Sequence, residues 1–492
     1  MKKYILSIDQ GTTSTRAVLF NKDGELCHIA QKEIRLIYRK PSWVEVDALE
    51  IWISTTEVIN EVLIKANIDF SEIDSIGITN QRETTVVWDK ETGVPVCPAI
   101  VWQSNQTKSI CDSLYQHQEL IRSKTGLPLN PYFSASKIRF ILDSIPDGQK
   151  RAENNELMAG TVDTWLLYRL TNKKVFYTDI SNASRTLLFN IYELKWDDAL
   201  LNLFNIPLCL LPEVKPSSFE FGQASFFGSS TPICGIAGDQ QASLFGHACF
   251  EKGNIKNTYG TGCFMLLNTG DTPSVSTNGL ITTIGWQIDG KVTYVLEGSV
   301  FVAGAAVQWL RDQLQVLEHV DQSEWMAFDS DYNHEIVVVP SFTGLGAPYW
   351  DSLARGAIFG LERDTNKNDI ARATLEAIAF QAKDVFHAME KDTGISIKQI
   401  CVDGGASKNN YLLQFQASVL NAEIVRPNCF ENTALGVCFL SGLYTGFYKN
   451  MDFIRNLKTN NTVFVPKFSK QEIEEHYRLW LIAVKAVRHF KK

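Results

Sequence analysis

The sequence of 492 residues contains no apolar run long enough to cross a membrane. Its most apolar stretch, residues 300–307, is far shorter than the ~20 residues that a membrane-spanning helix needs. The apolar start at residues 4–8 is interrupted by Asp9, so it lacks the core of a secretory leader. We therefore expect no membrane span, and a cytoplasmic location follows only by default.

Basic charge and clustered metal ligands are also scarce. Lysine and arginine total 47 against 55 acidic residues, a net charge of −8, which argues against a nucleic-acid binder with a broad basic surface. The ten cysteines include no Cys-x-x-Cys pair, and no two of the eight histidines lie within four residues of each other. We expect free buried thiols and no compact histidine metal site.

Two common nucleotide motifs are missing as well. No Gly-x-Gly-x-x-Gly occurs, and the P-loop-like run 285–291 is followed by Val292 where a hydroxyl is required. Its Asp289-Gly290 pair lies between two strand-like runs, which predicts a hairpin rather than a P-loop.

The sequence does contain a repeated strand–turn–strand pattern. Residues 4–8 and 16–20 flank a turn rich in glycine and threonine, and the same pattern recurs at residues 257–268. Strands alternate with helical periodicity through both halves, which predicts an α/β protein. The length allows about three domains, or two large ones with a joint near residues 251–254.

Both turns are candidate phosphate sites. In Asp9–Arg16, backbone N–H groups, hydroxyls and Arg16 could surround phosphate oxygens, and Asp9 could hold Mg²⁺ through water. The turn at Tyr259–Gly262 offers a second hydroxyl between glycines, and residues 402–409 offer a glycine-rich strand end before a helix. Each is equally compatible with ordinary turn chemistry.

Two polar clusters are candidates for substrate chemistry. Residues 80–84 place Arg82 beside Glu83, which suits the hydroxyls of a small polyol, although a surface salt bridge is the simpler interpretation. In residues 238–241, Asp239 follows a strand and precedes a helix predicted over residues 242–249, where α/β sheets bind ligands. Its carboxylate could accept a hydroxyl proton in a phosphoryl transfer, or it could cap the helix.

Taken together, the motifs resemble the glycerol kinases of the FGGY carbohydrate kinase family, in the actin/Hsp70/hexokinase superfamily of ATPases. The resemblance covers nearly the whole chain. The runs that carry it are residues 8–14, 77–84, 160–166, 182–186, 238–241, 257–265, 342–350 and 356–376.

The resemblance implies an α/β fold of two actin-like (ribonuclease H-like) domains with the active site in the cleft between them. Residues 1–250 would form a glycerol-binding N-terminal domain with the phosphate hairpin, and residues 251–492 a nucleotide-binding C-terminal domain. ATP and Mg²⁺ would be required, the product would be sn-glycerol 3-phosphate, and the protein would form homodimers or homotetramers.

The resemblance also assigns individual residues. Asp239 would be the general base and would contact glycerol. The remaining glycerol contacts would be Arg82, Glu83, Tyr132, Gln240, Trp102 and Phe264. The phosphate contacts would be Thr12, Thr13, Ser14, Arg16 and Thr261, and the nucleotide pocket would include Gly304, Gln308, Gly405 and Asn409. Asp9 would hold Mg²⁺ through water.

Two regulatory devices of some family members have no counterpart here, so we expect neither inhibition by fructose 1,6-bisphosphate nor activation through a phosphorylated histidine. The loop tied to fructose 1,6-bisphosphate inhibition is absent from residues 226–232, and Ser225 stands where some members carry a phosphorylatable histidine. Two other functions stay open: an FGGY kinase for another substrate such as a pentulose or erythritol, and a non-enzymatic nucleotide switch.

Overall fold

The computed structural model describes residues 2–226, 229–330, 335–457 and 461–490. Phe227 and Gly228, within the segment that the prediction on bisphosphate inhibition concerns, lie outside the described residues.

Groups of strands are separated by helices along the chain. The strands are β1 Tyr4–Gln10, β2 Ser14–Phe20, β3 Leu26–Glu33, β4 Leu36–Ile37, β5 Glu45–Val46, β6 Ile73–Asn80, β7 Thr85–Asp89, β8 Ala99–Ile100, β9 Leu157–Thr161, β10 Tyr177–Asp179, β11 Phe189–Asn190, β12 Lys195–Trp196, β13 Glu213–Lys215, β14 Ser218–Phe226, β15 Ser229–Gly238, β16 Ile255–Tyr259, β17 Cys263–Gly270, β18 Ile281–Ile288, β19 Lys291–Val300, β20 Val337–Val339, β21 Ala357–Phe359, β22 Gln399–Asp403, β23 Glu423–Pro427 and β24 Asn461–Phe464.

The helices follow the same chain order. They are α1 Ala48–Ala66, α2 Lys108–Ser113, α3 Gln118–Thr125, α4 Ser134–Ser144, α5 Gly148–Glu153, α6 Val162–Leu170, α7 Ile180–Ala183, α8 Asp198–Phe204, α9 Asp239–Gly246, α10 Gly304–Asp312, α11 Gln322–Phe328, α12 Lys367–Thr393, α13 Asn410–Leu420, α14 Asn432–Thr445, α15 Met451–Leu457 and α16 Lys470–His489. Short 3-10 helices cover Phe70–Glu72, Tyr115–His117, Leu208–Leu210 and Gly405–Lys408.

The first large sheet has the strand order β14-β15-β6-β1-β2-β3. Strands β1, β2 and β3 form an antiparallel meander, in which a turn containing Asp23 and Gly24 joins β2 to β3. Strand β6 then pairs in parallel with β1, and β15 pairs in parallel with β6. Because β1 and β6 lie inside the sheet, nearly all of their residues are buried, which explains their continuous apolar runs.

The second large sheet repeats this arrangement, with the order β18-β19-β17-β16-β22-β23-β24. Here β16 pairs antiparallel with β17, as β1 does with β2. Strand β22 pairs in parallel with β16, and β23 pairs in parallel with β22. The repeat predicted from the two glycine-threonine turns is therefore present in three dimensions. The fold is α/β, and the predicted hairpin at Asp289-Gly290 joins β18 to β19.

The two halves are packed together through α14. Although α14 lies in the C-terminal half of the chain, it rests on the first sheet, and a Cβ atom on Gly77 of β6 would stand 2.5 Å from the carbonyl oxygen of Val437. The same helix contacts α9, where a Cβ atom on Gly436 would stand 1.8 Å from the carbonyl oxygen of Ala242. Glycines at these crossings allow a backbone-to-backbone approach that no larger residue permits.

Helix α9 begins earlier than its apolar pattern predicts. The sequence suggests a helix over residues 242–249, whereas the structure has one over Asp239–Gly246. Gly238 is its N-cap, so Asp239 is the first helical residue and not the cap. The Asp239 Oδ1 atom accepts a hydrogen bond from the Gln240 backbone N–H at 2.8 Å, which uses one of the free N–H groups of the first turn.

In the part of the chain that the structure describes, no helix is long and apolar enough to span a membrane. Nor do three or more histidine, cysteine or carboxylate side chains within those same ranges come together as a metal site.

Candidate active site

Each glycine-threonine turn is closed by a backbone hydrogen bond from its first glycine, although the first turn is one residue longer than the second. The Gly11 N–H donates to the Ser14 carbonyl at 2.9 Å, and the Gly260 N–H donates to the Gly262 carbonyl at the same distance. Thr13 and Thr261 are exposed at the tips, whereas Thr12 and Ser14 are half-buried. Both hairpins therefore present side-chain hydroxyls at the ends of their strands.

Trp102 lies between the two hairpins. Its indole Nε1–H donates to the Thr12 hydroxyl at 2.9 Å, and its ring centroid lies 6.3 Å from that of Phe264, which follows the second turn. The Trp102 ring also meets Tyr132 edge to face at 5.5 Å. Three of the predicted glycerol-contacting aromatic residues thus form one cluster beside the first phosphate turn.

Arg82, Glu83 and Asp239 form a buried polar corner next to these aromatic rings. Arg82 and Glu83 are 3% and 1% exposed, so the interpretation of this pair as a surface salt bridge is wrong. The Arg82 Nε atom lies 3.2 Å from Asp239 Oδ1 but 3.9 Å from Glu83 Oε1. The Asp239 side chain is 30% exposed, so among the three acidic and basic groups it is the one open to a ligand.

Two charged residues that the sequence analysis did not select complete this corner. Glu297 of β19 accepts from the Arg82 guanidinium at 2.5 Å and 3.1 Å, and Arg185 donates to Glu83 at 2.6 Å and to Glu297 at 3.0 Å. Burial opposes ionisation of Glu297, but the two guanidinium groups outweigh it and lower the pKa of Glu297 to about 2. A single charged residue inside the apolar run 292–300 was the signal that could have identified Glu297.

Gln240 is linked to a buried lysine. Lys256 of β16 donates to the Gln240 side-chain oxygen, to the Thr258 hydroxyl at 2.8 Å and to the Phe264 carbonyl at 3.3 Å. Burial lowers the pKa of Lys256 to about 8, although the carboxylates of Asp403 and Asp239 act in the opposite direction.

Asp403 lies at the end of β22, next to the glycine-rich loop, and its charge acts on this lysine. Its Oδ2 atom accepts from the Ser243 hydroxyl at 2.9 Å and lies 3.1 Å from His247 Nε2, so it contacts α9 directly. Burial raises the pKa of Asp403, but the neighbouring His247 and then Lys256 outweigh it and lower the pKa to about 2. The carboxylate therefore stays ionised next to the helix that carries Asp239 and Gln240.

Asp9 has the surroundings of a cation site. The carboxylate is 6% exposed, and its nearest positive group is Arg16, at 3.4 Å. Burial raises the pKa of Asp9 to about 6; Arg16 opposes the shift, and Glu431 and Asp239 add to it. Additional positive charge would thus be favourable here. One carboxylate fits Mg²⁺ that is bound mainly by phosphate and water, but not an all-protein cage.

Arg16 is shared among several acceptors. Its Nε–H donates to the Gln31 side-chain oxygen at 2.8 Å, and its NH1 atom lies 3.8 Å from Glu431 of the C-terminal half. The side chain is 33% exposed, so part of the guanidinium is accessible to an anion.

The predicted nucleotide residues lie on two adjoining elements. Gly304 begins α10, and its N–H donates to the Gly260 carbonyl at 3.0 Å, which joins it to the second turn; Gln308 is exposed one turn further along α10. Gly405 is exposed in the loop after β22. Asn409 ends that loop, where it caps α13 by accepting from the Leu412 N–H at 2.9 Å and donates to the Ser323 hydroxyl at 3.2 Å.

The loop after β22 is held close to the second turn. Gly404 has φ +86° and ψ 172°, a conformation that is accessible essentially to glycine alone. A Cβ atom at this position would stand 2.4 Å from the Tyr259 carbonyl oxygen. The glycine therefore allows the loop bearing Gly405 and the hairpin bearing Thr261 to lie side by side.

Comparison with known proteins places this geometry in a family. The sequence model described as the FGGY family of carbohydrate kinases, N-terminal domain, matches residues 4–246, and that of the C-terminal domain of the same family matches residues 255–443.

Curated relatives match over the full length. The chain is 54% identical to the glycerol kinase of Bacillus licheniformis, with all of both chains covered, and 54% identical to that of Oceanobacillus iheyensis, with 100% of this chain and 99% of the relative covered.

Solved structures have the same fold. The crystal structure of Plasmodium falciparum glycerol kinase with ADP is 34% identical, with a TM-score of 0.91 and 98% of each chain covered. A ligand-bound xylulose kinase from Lactobacillus acidophilus has a TM-score of 0.87 at 24% identity, with 98% of this chain and 97% of that chain covered, and shows the fold alone.

Proposed function

The chain belongs to the FGGY family of carbohydrate kinases, and on this premise we propose that it transfers the γ-phosphoryl group of ATP to glycerol, giving sn-glycerol 3-phosphate. Support comes from the relatives named glycerol kinase, at 54% identity over the whole chain. The full-length match to an enzyme family also makes the non-enzymatic switch the weaker alternative.

The observation that carries the proposal is the corner formed by Arg82, Glu83 and Asp239 beside Trp102 and Tyr132. A small polyol has a hydroxyl on every carbon, and its C–H groups form an apolar face. The corner supplies charged donors and acceptors at fixed positions, and the aromatic cluster supplies an apolar wall. Gln240 and Phe264 lie next to these groups and would complete the set of glycerol contacts.

Asp239 is the group in this corner suited to act as general base. Its carboxylate is partly exposed and faces Arg82, which would hold it in one orientation. In a loose phosphoryl transfer the hydroxyl proton leaves late, so alignment of the 3-hydroxyl with the γ-phosphorus contributes much of the rate. A carboxylate within hydrogen-bonding distance of that hydroxyl would accept the proton as the new O–P bond forms.

The hairpins and the glycine-rich loop would bind the nucleotide. Hydroxyls and backbone N–H groups of the two turns would surround the phosphates, through Thr12, Thr13, Ser14, Arg16 and Thr261. The remainder of ATP would occupy the side lined by Gly304, Gln308, Gly405 and Asn409. Mg²⁺, held by Asp9 through water, would neutralise charge on the phosphate oxygens. In this proposal residues 1–250 form the glycerol-binding domain, which also carries the phosphate hairpin, and residues 251–492 form the nucleotide-binding domain.

The test is ADP release with Mg-ATP and a panel of acceptors: glycerol, dihydroxyacetone, erythritol, xylulose, ribulose and none. We expect strong turnover with glycerol and little with the pentuloses. A preference for a pentulose would keep the fold and reassign the pocket. ATP turnover that is indifferent to every acceptor would contradict the proposed function. Cytoplasmic location and a dimeric or tetrameric state stay predictions.

A further inference from the structure

Glu297 contacts the polyol corner, the proposed glycerol site formed by Arg82, Glu83 and Asp239, although it comes from the other half of the chain. It is on β19 and is 0% exposed. Its Oε2 atom accepts from Arg82 NH1 at 2.5 Å, and its Oε1 atom accepts from Arg82 NH2 at 3.1 Å and from Arg185 NH2 at 3.0 Å. The Ser299 hydroxyl adds a further contact to Oε1 at 3.3 Å. Both carboxylate oxygens are therefore engaged.

Arg185 provides the matching support for Glu83. It follows α7, is 0% exposed, and donates through Nε to Glu83 Oε1 at 2.6 Å. Its guanidinium carbon lies 5.6 Å from the centre of the Tyr132 ring. Glu83 needs such support because its backbone has φ +61°, a left-handed conformation that is unfavourable for a side chain of this size.

We propose that Glu297 and Arg185 are positioning residues of the polyol pocket: Glu297 fixes the guanidinium of Arg82, and Arg185 fixes the carboxylate of Glu83. The inference rests on the proposed glycerol site and adds two residues to it. Neither residue is proposed to contact glycerol.

The physical argument begins with the orientation of Arg82. Its NH1 and NH2 groups bind Glu297 in a two-pronged contact, which restricts rotation of the guanidinium plane and leaves Nε towards Asp239 at 3.2 Å. If Glu297 lost its charge, NH1 and NH2 would lose this anchor, and Asp239, which already faces Nε, would be the nearest carboxylate left to the guanidinium. The guanidinium plane could then rotate about that contact, which would displace the donors expected to bind a glycerol hydroxyl.

Positive and negative side chains alternate along a chain of contacts that runs through Arg82, Glu297, Arg185 and Glu83. Arg82 and Arg185 both bind Glu297, and Arg185 also binds Glu83, so every charge has an opposite neighbour. In a water-poor interior the removal of one member leaves another unpaired, which costs far more than the loss of a surface ion pair. Groups held in this way need little reordering when a ligand arrives, which favours binding.

The test measures KM for glycerol, KM for ATP and kcat in the full chain. For Glu297→Gln we expect KM for glycerol to rise about 30-fold or more, with KM for ATP changed less than about threefold. Glu297→Asp keeps the charge and should recover part of the loss. Arg185→Lys also keeps its charge but cannot hold Glu83 and Glu297 together, so KM for glycerol should rise about tenfold.

A matched control separates positioning from general destabilisation. Asp384 is also a buried carboxylate, held by Tyr477 at 2.6 Å, Trp480 at 2.9 Å and Tyr349 at 3.0 Å. Asp384→Asn should lower the thermal midpoint without changing KM for glycerol. If Glu297→Gln does not yield folded protein, Glu297→Asp and Arg185→Lys carry the test.

Two outcomes would overturn the inference. One is an unchanged KM for glycerol in the folded variants. The other is an equal rise in KM for glycerol and for ATP, since this would indicate loosening of the whole fold. Both outcomes can be measured only if the wild-type protein turns over glycerol. If the wild type fails with glycerol, the proposed function falls instead, so the two failures are distinguishable.

Discussion

The proposed polyol corner and the proposed nucleotide side of the site are built in different ways. In the corner, Arg82, Glu83, Arg185 and Glu297 are almost fully buried and bind one another through charged side chains. On the nucleotide side, by contrast, Thr13, Thr261, Gln308 and Gly405 are exposed. There the geometry comes from the backbone, through tight turns and a glycine packed against a carbonyl.

The difference is one of preorganisation. A neutral polyol carries no charge to organise its own site, so the protein must fix the donors and acceptors in advance. A polyphosphate brings strong charge, and exposed hydroxyls and N–H groups can adjust to it. We therefore expect changes in the corner to affect glycerol selectively, and changes on the other side to affect the nucleotide selectively.

The largest effect is expected from Asp239→Asn, which should reduce kcat about 10³-fold, the range found for loss of a general base. Asparagine keeps the shape of the side chain but cannot accept the proton. The measurement is ADP release at saturating glycerol and ATP. Asp198→Asn is the matched control, because Asp198 is likewise the first residue of a helix but is exposed. A variant at position 239 with more than about a tenth of wild-type kcat would contradict the role.

Gly404→Ala should damage the nucleotide side alone. The added Cβ atom would stand 2.4 Å from the Tyr259 carbonyl oxygen, and the φ of +86° suits glycine. The loop must therefore shift, and we expect KM for ATP to rise about 30-fold while glycerol affinity stays near the wild-type value. Gly394→Ala is the control, because Gly394 has φ +68° but nothing lies within 4 Å of its added Cβ. Equal effects of the two variants would argue against the clash as the cause.

The corner should respond to pH through Lys256. Its ammonium donates to Gln240, and its pKa is lowered by burial to about 8; the charged groups facing it are Asp403, Asp239, Arg82 and Glu297. Below pH 8 the ammonium is present, and as pH rises through 8 a donor and a positive charge are lost. KM for glycerol should therefore be constant from pH 6.5 to 7.5 and rise about fivefold by pH 9.5.

The control for this pH effect is Lys256→Met, which should have a raised KM for glycerol at pH 7 and a flat profile above it. If the variant keeps the wild-type rise above pH 8, another group is responsible.

An effect as small as that of pH is expected from Thr261→Val, which removes one exposed hydroxyl from the second turn. We expect KM for ATP to rise about fivefold with no change for glycerol, because one hydrogen bond to a charged phosphate is lost. Thr272→Val, at another exposed threonine of the same half, should change neither constant. A larger effect on glycerol than on ATP would break the division between the two regions.

The sequence predicted the backbone features of the site better than the side-chain partners. The turns at Gly11 and Gly260, the strand end before Asp239 and the glycine-rich loop follow from local patterns, since glycines and hydroxyls mark turns. Arg82 was selected as one of a pair with Glu83, whereas its two-pronged partner is Glu297, 215 residues away. No local pattern encodes such a pairing.

Other residues entered only through the family resemblance. Tyr132, Trp102 and Gln308 have nothing in their neighbouring residues that separates them from core or surface positions. Lys256 was not selected at all, although a lysine inside a buried strand is unusual enough to be a usable signal. Asp403 entered only as part of the glycine-rich run 402–409, without a role of its own. Long-range ion pairing is thus the part of this site that sequence periodicity cannot supply.

The most direct test of the difference between the two regions is calorimetric titration of glycerol into nucleotide-free protein. The wild type and the Glu297→Gln variant are titrated in the same way. If the ion pairs preform the corner, the wild type should bind glycerol without nucleotide, and Glu297→Gln should bind it about 30-fold more weakly. Glycerol binding that begins only when nucleotide is present would contradict a preformed corner, and so would equal affinity in the variant.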